Sequence, residues 1–188
     1  MRVSPAEYLD LKLRAHDLLR DIPLYDVSVV DLPGGGAGRS IADIRALESS
    51  APPSRIAIVL YAARDFFGRV FRWDRQKIRL EESLLPDLSE YDRRDSEVTP
   101  GTPDGQFLLL YQFPGESLRE TRNATVHGFI STALVRTDTG YRLYWAIYVR
   151  PVHRFTRLYM KAIAPFRRLI VYPAIIRNAQ TVWADRYR

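Results

Sequence analysis

The sequence contains no cysteine, and only three histidines and two methionines among its 188 residues. The first absence removes disulfides, thiolate zinc sites, iron–sulfur clusters and cysteine nucleophiles together. It fits a reducing compartment. Also missing is any run approaching the roughly 20 apolar residues that a membrane-spanning helix needs. From Met1 to Leu19 charged and apolar side chains interleave, without the continuous apolar core of a secretory leader. A cytoplasmic location is therefore expected. The histidines His16, His127 and His153 form neither an H-x-x-x-H nor an H-E-x-x-H pattern, so no metal site is expected. Nothing calls for a cofactor.

What remains is ordinary globular material: 46% apolar and 27% charged residues, outside the range of disordered chains. A chain of this length buries roughly 70% of the surface its unfolded state exposes. One domain over residues 1–188 is expected. The net charge of +6 is unevenly placed. From Arg150 to Arg188 there are nine basic residues and one acid, Asp185, whereas the preceding chain has nineteen basic against twenty-one acidic residues. The basicity belongs to the expected C-terminal helices of 153–188, and any role for it is local.

Ser4-Pro5-Ala6-Glu7 reads as a helix start, with apolar residues at loosely helical spacing to Leu19 and a stop at Pro23. Tyr25–Leu32 is β-branched and alternating, hence a strand. Pro33 and four following glycines break it. A second helix is expected from Ser40, and a buried one over Ser54–Phe71. Arg75–Gly105 is charged and proline-bearing, which predicts a long loop with at most a helical turn, used as a lid or partner surface. Gln106–Phe113, Ala124–Arg136 and Tyr141–Arg150 read as three strands, with Thr137-Asp138-Thr139-Gly140 as a hairpin turn. On the last strand Tyr141, Leu143, Trp145, Ile147 and Val149 are the expected core face. From His153 a helical apolar stripe returns, interrupted at Pro165 and Pro173.

Several strings point beyond composition. They are Asp31-Leu32-Pro33-Gly34-Gly35-Gly36, Ser40-Ile41-Ala42-Asp43, Phe71-Arg72-Trp73-Asp74, Arg157-Leu158-Tyr159-Met160 and Ala164-Pro165-Phe166-Arg167-Arg168-Leu169-Ile170-Val171. Together they resemble the family catalogued as domain of unknown function 2867, over most of the chain from Ala15 to Arg177. The resemblance leads one to expect a histidine where Arg167 stands, so any role of that histidine does not transfer. It implies similarity to START-like helix-grip domains: α+β, with a curved antiparallel sheet packed around a long C-terminal helix and an apolar cavity. Some relatives are joined to nicotinamide-nucleotide-binding domains, which hints at redox neighbours.

Pro33–Ser40 (PGGGAGRS) sits between a strand and a helix, as an anion-binding loop would. It lacks the first glycine and the lysine of a phosphate loop, and a dinucleotide fingerprint fails at Arg39. A flexible connection is the simpler reading. His127 lies mid-strand, within conceivable reach of Glu116, Glu120 or Arg122, and is the weak candidate for acid–base catalysis; a core histidine is the plainer alternative. His16 and His153 are read as solvated. The aromatic inventory is the more informative class. Phe71, Trp73, Tyr111, Phe113, Trp145, Tyr159 and Phe166 are the expected ligand-binding residues, since large apolar side chains with a few polar tips suit a lipid-like or polycyclic molecule. A packed core is the competing reading.

The expected function is a binding domain for an apolar or aromatic small molecule, held between sheet and C-terminal helix. An enzyme on the same scaffold, cyclase- or hydratase-like with His127 as acid or base, is the alternative. A peripheral protein contacting an acidic membrane surface through its basic helices is a third. Nucleic acid is disfavoured for want of an aromatic–basic module.

Overall fold

The computed structural model describes residues 5–50, 83–122, 126–152, 160–161, 164–165 and 167–187. The expected helix over Ser54–Phe71 and the start of the stripe at His153 lie outside these residues.

Among the described residues six antiparallel strands form one sheet in the order β1-β6-β5-β4-β3-β2: β1 Leu24–Pro33, β2 Thr102–Asp104, β3 Phe107–Gln112, β4 Glu116–Arg122, β5 Val126–Thr137 and β6 Gly140–Pro151. The first strand thus pairs with the last, Val27 opposite Ala146 and Leu32 opposite Tyr141. The β5–β6 turn is the expected one, with Gly140 at φ 155. Any side chain there would collide with the Leu32 carbonyl and the Gly34 nitrogen.

Helices cover both faces, so side-chain alternation divides the interior in two. On one face Val27, Val29, Leu118, Phe129, Ala133, Tyr144, Ala146 and Tyr148 meet Tyr8, Ala15, Leu19, Leu84 and Leu88. On the other, Val30, Leu32, Leu134, Tyr141 and Leu143 meet Ile41, Ile44 and Trp183. Strand β6 therefore has core on both faces: of the expected face Tyr141, Leu143 and Val149 are buried, and the opposite face is buried as well. Tyr144, Ala146 and Tyr148 are at most 4% exposed, while Trp145 and Ile147 are only half-buried. Tyrosines survive on the inner face because their hydroxyls find partners, as when Tyr144 donates to Glu7 Oε1 at 2.7 Å.

The N-terminal helix is two short ones, α1 Pro5–Leu9 and α2 Arg14–Leu18. The break lets α1 bury Tyr8 while α2 turns its first amide toward β4, Arg14 N–H donating to Glu116 Oε1 at 2.9 Å. Helix α3 spans Ile41–Ser50. The described part of the expected long loop is more ordered than its composition suggests. It holds a 3₁₀ turn at Leu85–Asp87 and strand β2. Helix α4, Glu90–Asp95, is fixed by a capping box in which Ser89 and Asp92 exchange side-chain and backbone bonds. At the other end, helix α5 runs from Tyr172 to Tyr187 and places Pro173 in its first turn, where a missing N–H is tolerated. The preceding turn, Arg167–Val171, widens to a π-type turn, since Pro173 offers no N–H to the Leu169 carbonyl.

Candidate functional site

Strands β4 and β5 pair with Glu120 opposite Phe129 and Arg122 opposite His127. Glu120 and His127 are therefore diagonal neighbours on the face beneath the N-terminal helices, close enough for long side chains to meet. His127 Nε2 lies 3.4 Å from Glu120 Oε2, and both residues are 0% exposed. Glu120 has two further donors from the segment just ahead of the 3₁₀ turn. Ser83 Oγ–H donates to Oε1, and Leu84 N–H to Oε2 at 3.2 Å. A carboxyl group this deep needs such partners, because a buried unpaired one costs several kcal/mol, about 3–5.

This arrangement orients the imidazole. Nε2 faces an acceptor, so in the neutral ring the proton belongs on Nε2 and Nδ1 carries a lone pair. Nδ1 is buried and without a hydrogen-bond partner among the described residues. The ring of Phe129 lies beside it, centroids 4.5 Å apart. Such a histidine can accept a hydrogen bond from a ligand hydroxyl or take a proton from one.

A second polar cluster lies on the same face. Tyr111 donates to Glu116 Oε2 at 3.3 Å. Burial, opposed by the α2 backbone donors, holds the Glu116 carboxyl above its ordinary range. Burial, reinforced by Glu116, pushes the Tyr111 phenol well up. Nearby, Tyr8 donates to Ser131 Oγ at 2.8 Å, and burial raises its phenol strongly. His16, expected to be solvated, instead sits edge-on to the Tyr8 ring at 5.0 Å, its Nε2 3.2 Å from the Tyr8 carbonyl.

The described members of the aromatic set do not share one face. Tyr111 and Phe113 stack at 4.9 Å against the core beneath α1 and α2. Trp145 points to the opposite face, edge-on to Tyr172 at 5.6 Å. Phe71, Trp73, Tyr159 and Phe166 lie outside the described residues. Between the sheet and α5, Leu32, Ile44, Leu143, Ile175, Ala179 and Trp183 line a cavity of about 50 Å³. That accommodates a water or two rather than a ligand of several hundred Å³.

The glycine loop is a packing device. Trp183 is fully buried and donates its indole N–H to the Pro33 carbonyl at 2.9 Å. Gly35, at φ 86, lies so close to the indole that a Cβ would overlap the ring. Arg39, where a phosphate loop has lysine, donates to the Gly35 carbonyl at 2.7 Å and covers the Tyr187 ring. The loop's positive φ values thus receive the C-terminal helix.

Arg167, where the resemblance led to the expectation of a histidine, pairs with Asp26 at 2.9 Å. Arg168 pairs with the other oxygen at 3.1 Å, and Tyr172 donates to Asp26 at 3.0 Å. Among the described residues no three metal-ligating side chains gather in one place.

Glu120 was one of three carboxylate or cation candidates for His127; the structure selects it and turns Glu116 toward Tyr111. Ser83 and the Leu84 amide carried no signal, because what brings them to Glu120 is tertiary. No curated protein and no solved structure matches the chain. A family model described as "Protein of unknown function (DUF2867)" matches residues 18–174, most of the chain, which therefore belongs to that family.

Proposed function

We propose that this protein binds a small apolar or aromatic molecule against the sheet face that carries His127, with a hydrogen-bond donor of the ligand on His127 Nδ1. The observation that carries the reading is that buried nitrogen, which Glu120 orients from the far side of the ring and which has no partner among the described residues. Leaving a buried polar atom unmet costs about 1–3 kcal/mol, a cost that a bound donor removes. The scaffold reading is helix-grip and START-like. It is supported by the pairing of the first strand with the last and by a helix following β6. In this reading the ligand lies on the His127 face rather than at the packed contact between sheet and α5.

Native mass spectrometry of purified protein, followed by solvent extraction, tests the reading. A co-purifying hydroxylated or N–H-bearing apolar compound, lost from His127→Phe, supports it. An apo mass, with no thermal shift from a library of hydroxylated aromatics and lipids, overturns it.

A second reading, an enzyme acting on that ligand, is favoured by the Glu120–His127 geometry. A carboxyl group behind an imidazole is how general bases are oriented. Turnover of the extracted compound that His127→Gln abolishes while binding persists would establish it.

A further inference from the structure

Four large apolar residues are prominently exposed among the described residues: Leu9, Tyr91, Leu169 and Ile170. Single exposed apolar side chains are commonplace. Leu169 and Ile170 differ in being consecutive, 76% and 46% exposed, and placed in the most basic part of the chain. Arg168 next to them has a side chain 44% exposed, and Lys161 and Arg177 are exposed as well. They are also held in place. Arg167 and Arg168 are tied to Asp26 of β1, and Tyr172 to the same carboxylate, so the pair projects from an anchored turn.

We infer that this turn docks the protein on an anionic lipid surface, Leu169 and Ile170 entering the acyl boundary and the surrounding cations lying at the head groups. Aliphatic side chains flanked by Lys and Arg are the composition of interfacial anchors, and basic side chains near an anionic leaflet add attraction. Charge selects this occupant. A second copy of the chain, docked through the same patch, would set Lys161, Arg168 and Arg177 against an identical set of cations. A nucleic acid would use the cations and leave the aliphatic pair in water. No described helix is long and apolar enough to span a membrane, and the inferred contact is lateral, independent of the ligand site.

Co-sedimentation of the full chain with phosphatidylcholine vesicles, with and without phosphatidylserine, is the test. Binding should require phosphatidylserine and weaken with salt. The neutral double variant Leu169→Ser/Ile170→Ser should reduce vesicle partitioning by about tenfold or more while keeping the wild-type melting temperature, as both residues are exposed. Unchanged partitioning of the variant overturns the inference. So does failure to bind anionic vesicles, whether accompanied by a concentration-dependent dimer that the variant loses or by retention on a DNA column.

Discussion

The indole of Trp183 occupies the space that a side chain at Gly35 would fill. The glycine-rich string and the last helix are thus two halves of one contact, closed by the bond from Trp183 Nε1 to the Pro33 carbonyl. Gly35→Ala should destabilise the protein by about 2–3 kcal/mol, combining overpacking with a left-handed backbone. Gly36→Ala has the same kind of φ, 69, but open space around it, and should cost only about 1 kcal/mol. Urea unfolding of the two variants reads the difference. Equal losses would mean that backbone strain, not the indole, sets the requirement.

Glu120 should be the most sensitive polar position on its face. Glu120→Ala strands the Ser83 hydroxyl, the Leu84 amide and His127 Nε2 in a buried site, with an expected loss of about 3 kcal/mol or more. Ser83→Ala removes one donor and should cost about 1–2 kcal/mol. Denaturant midpoints at neutral pH check the ranking, and a Ser83 variant that costs more than the Glu120 variant would contradict it.

The Glu116 carboxyl gives stability a pH dependence of definite sign. Burial raises it in the folded protein above its ordinary value, so the folded state holds the proton more tightly than the unfolded chain does. Its contribution is full below the unfolded value and is lost as pH rises through the folded one. Relative to Glu116→Gln, wild-type stability should fall across that acidic window and then run parallel at higher pH. Chemical denaturation of both proteins over a pH series measures the slope, and a difference of opposite sign would refute the assignment.

Asp26 receives Arg167, Arg168 and Tyr172 together. Asp26→Ala leaves Arg167, with a side chain 13% exposed, uncompensated, and should cost about 3 kcal/mol. Adding Arg167→Met should restore part of that loss, which a double-mutant cycle in urea detects. Strict additivity would show that the two side chains act separately.

Much of the architecture was legible from alternation and turn chemistry. The strands around QFLLLYQF and YRLYWAIYVR, and the glycine turn between β5 and β6, stand where the pattern puts them. Strand β4 was not legible. Glu116-Ser117-Leu118-Arg119-Glu120-Thr121-Arg122 is polar by composition, yet Glu116, Ser117, Leu118 and Glu120 are buried, because α2, the Ser83 hydroxyl and the Leu84 amide supply the donors that its carboxylates need. The same gap hid the Glu120–His127 pair. Once β4 is placed opposite β5, parity alone sets Glu120 and His127 on one face, whereas no local spacing does. The split of β6 into two buried faces was likewise invisible, since a tyrosine facing water and a tyrosine donating to a helix carboxylate read alike in a sequence.

The pairing of β1 with β6 bears on how the chain comes to fold. Pro33 sits opposite Gly140, more than a hundred residues later, so the first strand leaves the ribosome long before its partner exists. Hairpins β3–β4 and β5–β6 can form from neighbouring sequence, but β1 and the face it covers must wait. During that interval Val27, Val29, Val30 and Leu32 have no ladder to join, and their β-branched run is the stretch most exposed to mispairing with another nascent chain. Asp26, just before that run, and Asp31, within it, carry the charge that guards it until the last strand arrives.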